Sequence, residues 1–266
     1  MAGPIGPDQP GGPTSGAEPP AAAPPEVLPP EHRWAAYMLA VGFQRERATR
    51  ILLALICTGH LATGLLMLNR GTLDLFGVLT ANRSPRVLVQ LGAMFAPALD
   101  AGELWRLIGC LFLHGDGMHL LFNGVALLGL GRLCEALYGP SRFTWLFLLS
   151  GAGGAALSWW GGNELSVGAS GGIFGLMGAG IVFGWRHRRQ LPERFGRVLR
   201  KQLLPWVVLN LAIGLLFPFI DNLGHVGGLV TGSCLALVLG NRVVPGLESP
   251  GWVRLAMGLG SVLLVT

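Results

Sequence analysis

Three polar positions, set in otherwise apolar sequence, have the side-chain types that acyl transfer requires. Ser170 offers a hydroxyl nucleophile, and the imidazole of His225 could take its proton and later protonate a leaving amine. Asn123, four residues after His119, offers an amide that could donate a hydrogen bond to an oxyanion. Each residue alone is weak evidence, so the hypothesis of a Ser–His hydrolase depends on whether the fold brings them together.

The residues around Ser170 suit the stabilisation of an anion. Ser170 opens an apolar run, so the free N–H groups and the dipole of a helix N-terminus would favour an oxyanion there. We expect Gly168 and Gly171 to let a substrate backbone approach closely. The residues before Gly168 do not form a convincing strand, so the nucleophile elbow of soluble hydrolases is not expected.

The composition indicates that these residues lie in a membrane protein. The chain has 266 residues, of which 51% are hydrophobic and 12% are charged, and its mean hydropathy is +0.54. These values exclude an ordinary soluble domain and a disordered chain. The four cysteines form no CxxC motif, so neither a disulfide framework nor a metal site is expected.

Six apolar runs are long enough to cross a bilayer, which takes about 20 residues per helix. They are 51–69, 118–138, 143–162, 168–185, 203–220 and 222–241. Because backbone groups in lipid must be satisfied within each segment, we predict an all-α polytopic membrane protein with a six-helix core at 51–241. Between the first two runs, Val87–Leu99 is too short to span and is predicted to lie at the interface.

The ends of the chain lie outside this core. Residues 1–31 hold ten of the 18 prolines and are predicted to be a disordered tail rather than a signal peptide. Residues 32–50 are expected to be a cytoplasmic juxtamembrane segment. Residues 242–266 are predicted to be a cytoplasmic linker followed by the start of a partial seventh helix, because the run 252–266 is short for a span.

The arginines predict the orientation. Arg45, Arg47 and Arg50 precede the first run, which indicates a cytoplasmic N-terminus, and the basic segment 186–202 then falls on the same side. Runs two, four and six consequently all pass from outside to inside. Their polar residues lie near their starts, so we expect Asn123, Ser170 and His225 at one depth in the outer leaflet, where polar residues are costly and usually functional.

This constellation resembles the rhomboid family of intramembrane serine proteases over about residues 50–241. The motifs that carry the resemblance are Trp105-Arg106, His114, His119-x-x-x-Asn123, Gly168-x-Ser170-Gly171 and His225-x-x-Gly228. The resemblance implies a six-helix bundle without metal or nucleotide cofactor, and a chain that cleaves transmembrane or membrane-adjacent segments of other proteins.

The resemblance also implies individual roles. Ser170 would be the nucleophile and His225 the base of a dyad, while His119 and Asn123 would line the oxyanion hole. Trp105 and Arg106 would belong to a structural loop lying partly in the membrane, with Glu135 supporting it.

Two positions depart from the family pattern. Gly224 stands where alanine often precedes the base, and we expect it to let helices four and six pack closer. Phe174 stands where tyrosine often stacks on the base, and at i+4 from Ser170 its ring can still do so.

Other polar residues leave alternatives open. Asp221, four residues before His225, could complete a triad but is expected to cap the sixth helix. His114 could touch substrate, although support of the loop is favoured, and His60 is expected to bond between helices. Arg132 and Glu135 could pair on one helix face.

The sequence therefore predicts a multi-pass protease, with the plasma membrane as its expected location and its active site opening outward. We expect the fifth run and Phe217–Leu223 to control substrate access, because this run is apolar and lacks a catalytic group.

A non-catalytic membrane binding protein would share the fold but tolerate loss of Ser170. A transporter is less favoured, because no acidic residue continues inward and no inverted repeat is evident. A nucleic-acid partner is not expected, since the basic clusters are explained as orientation signals.

Overall fold

The computed structural model describes Gly3 and residues 46–241, so the predictions for 1–31, for 242–266 and for most of 32–50 lie outside the described residues. The described part is mostly helical. Its helices are α1 (Arg47–Asn69), α2 (Gly77–Thr80), α3 (Pro85–Leu91), α4 (Ala96–Asp100), α5 (Arg106–Gly109), α6 (Gly117–Tyr138), α7 (Pro140–Trp160), α8 (Ser170–Arg186), α9 (Glu193–Arg197), α10 (Leu203–Leu216) and α11 (Asn222–Val238). Its strands are β1 (Met94–Phe95) and β2 (Leu165–Ser166).

Each of the six predicted runs corresponds to one long helix, with ends shifted by at most four residues. Helices α1 and α6, and the nearly continuous stretch Glu193–Leu216, are long and apolar enough to cross a membrane, and α11 is a shorter apolar helix. Helix α10 ends at Leu216 rather than at residue 220 because Pro218 follows. Phe217 takes an extended conformation, as a residue before proline prefers.

The connection between α1 and α6 consists of short helices and one strand. Strand β1 pairs in antiparallel fashion with β2, so that Met94 faces Ser166 and Phe95 faces Leu165. This pairing joins the connection to the segment that precedes α8. The expected interfacial segment Val87–Leu99 is thus divided among α3, β1 and α4.

A buried arginine holds the first part of this connection. The guanidinium of Arg83 donates to the carbonyls of Gly77 and Ala81, to Thr63 Oγ1 at 3.0 Å and to His60 Nε2 at 2.7 Å. The prediction that His60 bonds between helices is confirmed, because its Nε2 lies 3.1 Å from the Leu79 carbonyl oxygen of α2. The sequence did not predict the second neighbour of this ring, the Arg83 guanidinium.

The N-terminus of α1 is fixed by a carboxylate from α6. Glu135 accepts hydrogen bonds from the backbone N–H groups of Ala48 and Thr49 and from the Thr49 hydroxyl. Arg132 pairs with Glu46 at 2.8 Å, not with Glu135. Both expectations for Glu135 are corrected: it supports α1 rather than the Trp105 loop, because the free N–H groups of a first helical turn attract a carboxylate.

Helices α7, α8 and α11 form the tightly packed centre of the described structure, and glycines make this packing possible. A Cβ atom added to Gly228 on α11 would lie 2.0 Å from the carbonyl oxygen of Gly171 on α8. One added to Gly154 on α7 would lie 2.4 Å from the carbonyl oxygen of Gly224 on α11. The three backbones therefore touch directly, as small residues allow in membrane helix bundles.

Candidate active site

Ser170 is the first residue of α8, and a short strand and a turn precede it. Strand β2 ends at Ser166, and Gly168 then adopts φ = +127°, which side chains other than glycine rarely allow. Its N–H donates to the carbonyl of Cys110. The sequence did not predict a strand here, because two residues are too few to show a periodicity. The strand–turn–helix order leaves the first-turn N–H groups of α8 beside the Ser170 hydroxyl.

His225 lies in the first turn of α11, opposite Ser170. Its Nε2 is 3.0 Å from Ser170 Oγ, a hydrogen-bonding distance. The Phe174 ring, one turn after Ser170, stacks on the imidazole with centroids 4.2 Å apart and planes 9° from parallel. The expected stacking of Phe174 is therefore present. Since the two rings belong to different helices, the stacking fixes the orientation of the His225 imidazole relative to α8.

His119 and Asn123 bring the first turns of α6 to the same place. The carboxylate of Asp116 accepts from the His119 N–H at 2.8 Å and thereby caps α6. A Cβ atom on Gly168 would lie 2.7 Å from His119 Nε2, so this imidazole lies directly against the Gly168 backbone. The Asn123 amide donates one hydrogen bond to the His119 carbonyl, and because an amide nitrogen carries two donors, one remains.

His114 lies beneath this cluster, fully buried in the loop before α6. Its Nε2 accepts from the Ala169 N–H at 3.5 Å, and its ring meets that of His119 edge-on at 5.1 Å. Burial, and secondarily the neighbouring His119, hold the pKa of His114 well below its usual value. A neutral ring can accept the Ala169 N–H, so the contact supports the turn that carries Ser170.

The comparisons with known proteins show the family of this chain. A family model described as Rhomboid domain matches residues 101–242, which is more than half of the chain. The chain belongs to the rhomboid family. Because the family and the apolar helices agree, this rhomboid is an integral membrane protein.

Several curated rhomboids are similar to the chain. RHOMBOID-like protein 5 of Arabidopsis thaliana is 37% identical over 172 residues, covering 62% of this chain and 54% of its own. Rhomboid protease GluP of Bacillus subtilis (strain 168) is 36% identical over 153 residues, covering 58% of this chain and 29% of its own. Rhomboid-like protease 3 of Toxoplasma gondii is 32% identical over 190 residues, covering 68% of both chains. The chain thus spans about half of the length of RHOMBOID-like protein 5 and about a third of the length of GluP.

In this rhomboid, Asp221 caps α11 and does not complete a triad. Its carboxylate accepts from the Gly224 N–H at 2.8 Å, the capping bond that the sequence predicted. His225 Nδ1 has no hydrogen-bond partner within residues 46–241. The carboxylate bonds instead to Asn163 and Ser166, for which the sequence carries no functional signal. Their spacing from Asp221 exceeds 50 residues, so only the fold brings them together.

The glycines of the site serve the protein's own packing. A Cβ atom on Gly171 would lie 3.5 Å from Gly151 Cα and from the Gly224 carbonyl oxygen, so this residue faces α7 and α11 rather than a substrate. The expectation for Gly168 is likewise corrected, because His119 occupies its open side. Gly224 does not bring α8 closer either: a Cβ atom there would lie 2.6 Å from the Asp221 carboxylate.

Trp105 and Arg106 lie in the connection before α6. The guanidinium of Arg106 is buried, pairs with Glu103 at 2.9 Å and donates to the carbonyls of Val89 and Ala93. Its Cζ also lies 4.8 Å from the ring centroid of Trp105, which is half exposed. Arg106 therefore joins α5 to the α3–β1 turn, and neither residue reaches Ser170 directly by a described contact.

Within residues 46–241, no group of three or more His, Cys, Asp or Glu side chains could hold a metal ion.

Proposed function

We propose that this rhomboid is an intramembrane serine endopeptidase that cleaves transmembrane or membrane-adjacent segments of other proteins through a Ser170–His225 dyad. The observation that carries the proposal is the 3.0 Å contact between Ser170 Oγ and His225 Nε2. Relatives named as proteases, among them GluP and Rhomboid-like protease 3, support the same activity.

The geometry supports a conventional acyl-transfer sequence. His225 Nε2 takes the hydroxyl proton while Ser170 Oγ attacks the scissile carbonyl, forming the Oγ–carbon bond. The tetrahedral intermediate collapses, the carbon–nitrogen bond breaks, and the imidazolium returns its proton to the leaving amine. Water, deprotonated by His225, then hydrolyses the acyl-enzyme and releases the carboxyl product. Stacking on Phe174 holds the imidazole in place through both proton transfers.

The oxyanion would be stabilised by donors that converge beside Ser170. We assign this role to the second N–H of the Asn123 amide, to the Ser170 backbone N–H at the helix N-terminus and to the His119 side chain. His119 and Ser170 are both half-buried, so a substrate carbonyl can reach them. Because these donors are fixed in place before substrate binds, they require little reorganisation during the reaction.

In this proposal, all six long helices cross the bilayer as the core 51–241, with the N-terminus in the cytoplasm. The shortest helix, α10, is long enough to cross the bilayer only together with the helical turns that precede it from Glu193. The outer ends of α6, α8 and α11 then lie at one depth, which gives the site access to water from the outer side. The plasma membrane is the corresponding location, and the basic segment 186–202 lies in the cytoplasm.

Substrate would reach the site past α10 and the loop 217–223. Leu215, Leu216 and Phe219 of this region are exposed, as expected of a surface that faces lipid or a substrate helix. Disulfide crosslinks between introduced cysteines on α10 and α6, in a chain without its four natural cysteines, should block cleavage of a protein substrate and release it on reduction. Full cleavage by the crosslinked protein would contradict control of access at this place.

The proposal is tested with purified protein in liposomes together with a single-span reporter substrate. Ser170→Ala and His225→Ala should each abolish cleavage. His187→Ala is the matched control, because this side chain is buried directly after the last residue of α8, whereas Ser170 opens that helix. Cleavage that survives Ser170→Ala would contradict the proposal, and reporter binding without cleavage by the folded wild type would favour a non-catalytic binding protein.

A further inference from the structure

The Asp221 carboxylate does more than cap a helix. Its Oδ2 accepts from the Ser166 hydroxyl at 2.6 Å, and its Oδ1 accepts from the Asn163 amide at 2.8 Å as well as from the Gly224 N–H. Its backbone carbonyl accepts from the His225 N–H at 3.1 Å. One residue thus engages the segment before α8 and the first turn of α11 at the same time.

These two segments carry the two reacting side chains. Ser166 precedes Ser170 by four residues, and Asp221 precedes His225 by four. Three hydrogen bonds join residues 163–170 to residues 221–225 in the described part of the chain. One is the Ser170–His225 contact itself, and the other two run from Asn163 and Ser166 to Asp221. Ser166 is further fixed by the pairing of β2 with β1.

Gly224 preserves the space that this arrangement requires. A Cβ atom at Gly224 would lie 2.6 Å from Asp221 Oδ2, the atom that receives the Ser166 hydroxyl. Any larger residue at this position would push the carboxylate away from Ser166 or from the capping N–H. The glycine therefore explains how the carboxylate can cap its helix and bind the opposite segment at once.

We propose that Asp221 is a positioning residue that sets the distance between Ser170 and His225 by tying the Asn163–Ser166 segment to the start of α11. The inference rests on the proposed function. Asp221 acts on the geometry of the dyad and not as a third acid, since its oxygens are engaged by Ser166, Asn163 and Gly224. Displacement of reacting groups by about 1 Å can cost about 100-fold in rate.

Substitutions separate this role from helix capping. Asp221→Ala removes both, and Asp221→Asn keeps both, because its amide oxygen can accept from Gly224 and Asn163 while its nitrogen donates to the Ser166 hydroxyl. The double variant Asn163→Ala/Ser166→Ala removes the tie but leaves the cap. Asp74→Ala is the matched control: Asp74 accepts from the N–H of Gly77, the first residue of α2, at 2.6 Å, and α2 carries no site residue.

The experiment measures kcat and KM for the reporter substrate, together with the thermal midpoint of each purified variant. We expect Asp221→Ala and the double variant to lower kcat by about 10- to 100-fold with KM nearly unchanged, since binding does not use the tie. Asp221→Asn should retain kcat within about threefold. Asp74→Ala should lower at most the thermal midpoint.

The outcomes distinguish failure of the positioning role from failure of the proposed function. If wild type and Ser170→Ala cleave equally, the proposed function fails and the positioning role fails with it. If Ser170→Ala is inactive but the double variant keeps full kcat, only the positioning role is overturned. The same holds if Asp221→Asn is as inactive as Asp221→Ala, because the charge rather than the geometry would then matter.

Discussion

Helix α11, which carries His225, is held in contrasting ways on its two sides. Towards α7 and α8 its backbone touches theirs, with Gly228 against the Gly171 carbonyl and Gly232 against the Gly175 carbonyl. Towards α10, the Asn222 amide donates to the Leu211 carbonyl at 3.2 Å. The contrast predicts a rigid interface at Ser170 and His225 and a looser contact at α10, the helix that the proposed function assigns to substrate access.

The exposure of side chains follows the same division. On α8, Ile173, Phe174 and Leu176 are buried in the main apolar core. On α10, Leu215 and Leu216 are 81% and 75% exposed. In a membrane, an exposed apolar face contacts lipid tails and not water, so no hydrophobic driving force favours closer packing of α10. Local stability should therefore be high at the dyad and low at α10.

The largest expected effect comes from filling the rigid interface. In Gly228→Ala, the added methyl carbon would overlap the Gly171 carbonyl and force α8 and α11 apart, moving His225 from Ser170. We expect a loss of about 100-fold in kcat for the reporter substrate. Gly129→Ala on α6 is the control, because a Cβ atom there meets nothing within 4 Å. Equal activity of both variants would contradict the rigid interface.

A smaller loss is expected when the stacking on His225 is removed. Phe174→Ala deletes a ring that lies 4.2 Å from the imidazole, and such ring pairs contribute about 0.5–1.5 kcal/mol beyond burial. We expect kcat to fall by roughly two- to tenfold, with Phe174→Tyr close to wild type because the ring remains. The two variants are compared by initial rates of reporter cleavage. If Phe174→Tyr fell as far as Phe174→Ala, stacking would not be the reason.

On the loose side, a substitution should increase activity. Asn222→Ala removes the hydrogen bond to the Leu211 carbonyl, which is worth about 1 kcal/mol, and so frees α10 from α11. We expect cleavage of the protein reporter to rise by roughly two- to fivefold, while the rate of labelling by a small fluorophosphonate stays unchanged. Asn210→Ala is the control, since its amide bonds to Trp206 within α10. A fall in both rates would show that Asn222 supports the dyad rather than restrains access.

The smallest effect belongs to the exposed face of α10. Leu215→Ala should leave the thermal midpoint and kcat almost unchanged, since its side chain packs against few protein atoms. Leu176→Ala on α8 should be strongly destabilising, because truncation of a fully buried leucine costs about 2–5 kcal/mol. Thermal unfolding followed in detergent compares the two. Equal destabilisation would remove the contrast between the two regions.

The sequence predicted much of the site because the relevant signals are local. Apolar runs locate the long helices, and their alternating directions place Asn123, Ser170 and His225 near the same end. The cap by Asp221 follows from its position directly before α11, and the stacking of Phe174 was expected from the resemblance to the family, with the i+4 spacing from Ser170 allowing it.

What could not be predicted depends on partners that are distant in the chain. Glu135 was expected beside Arg132, three residues away, but the free N–H groups of Ala48 and Thr49 compete for it from 86 or more positions away. His60 meets Arg83, and Asp221 meets Asn163 and Ser166, for the same reason. The strand β2 escaped prediction because two residues carry no alternation, and its partner β1 comes about 70 positions earlier.

The Ser170–His225 dyad is tested most directly by labelling the purified protein with a fluorophosphonate and identifying the modified residue by mass spectrometry. We expect modification of Ser170 in the wild type, and loss of labelling in both Ser170→Ala and His225→Ala, because the hydroxyl is activated only through the 3.0 Å contact with the imidazole. Modification of another serine, or labelling that persists in Ser170→Ala, would contradict the dyad.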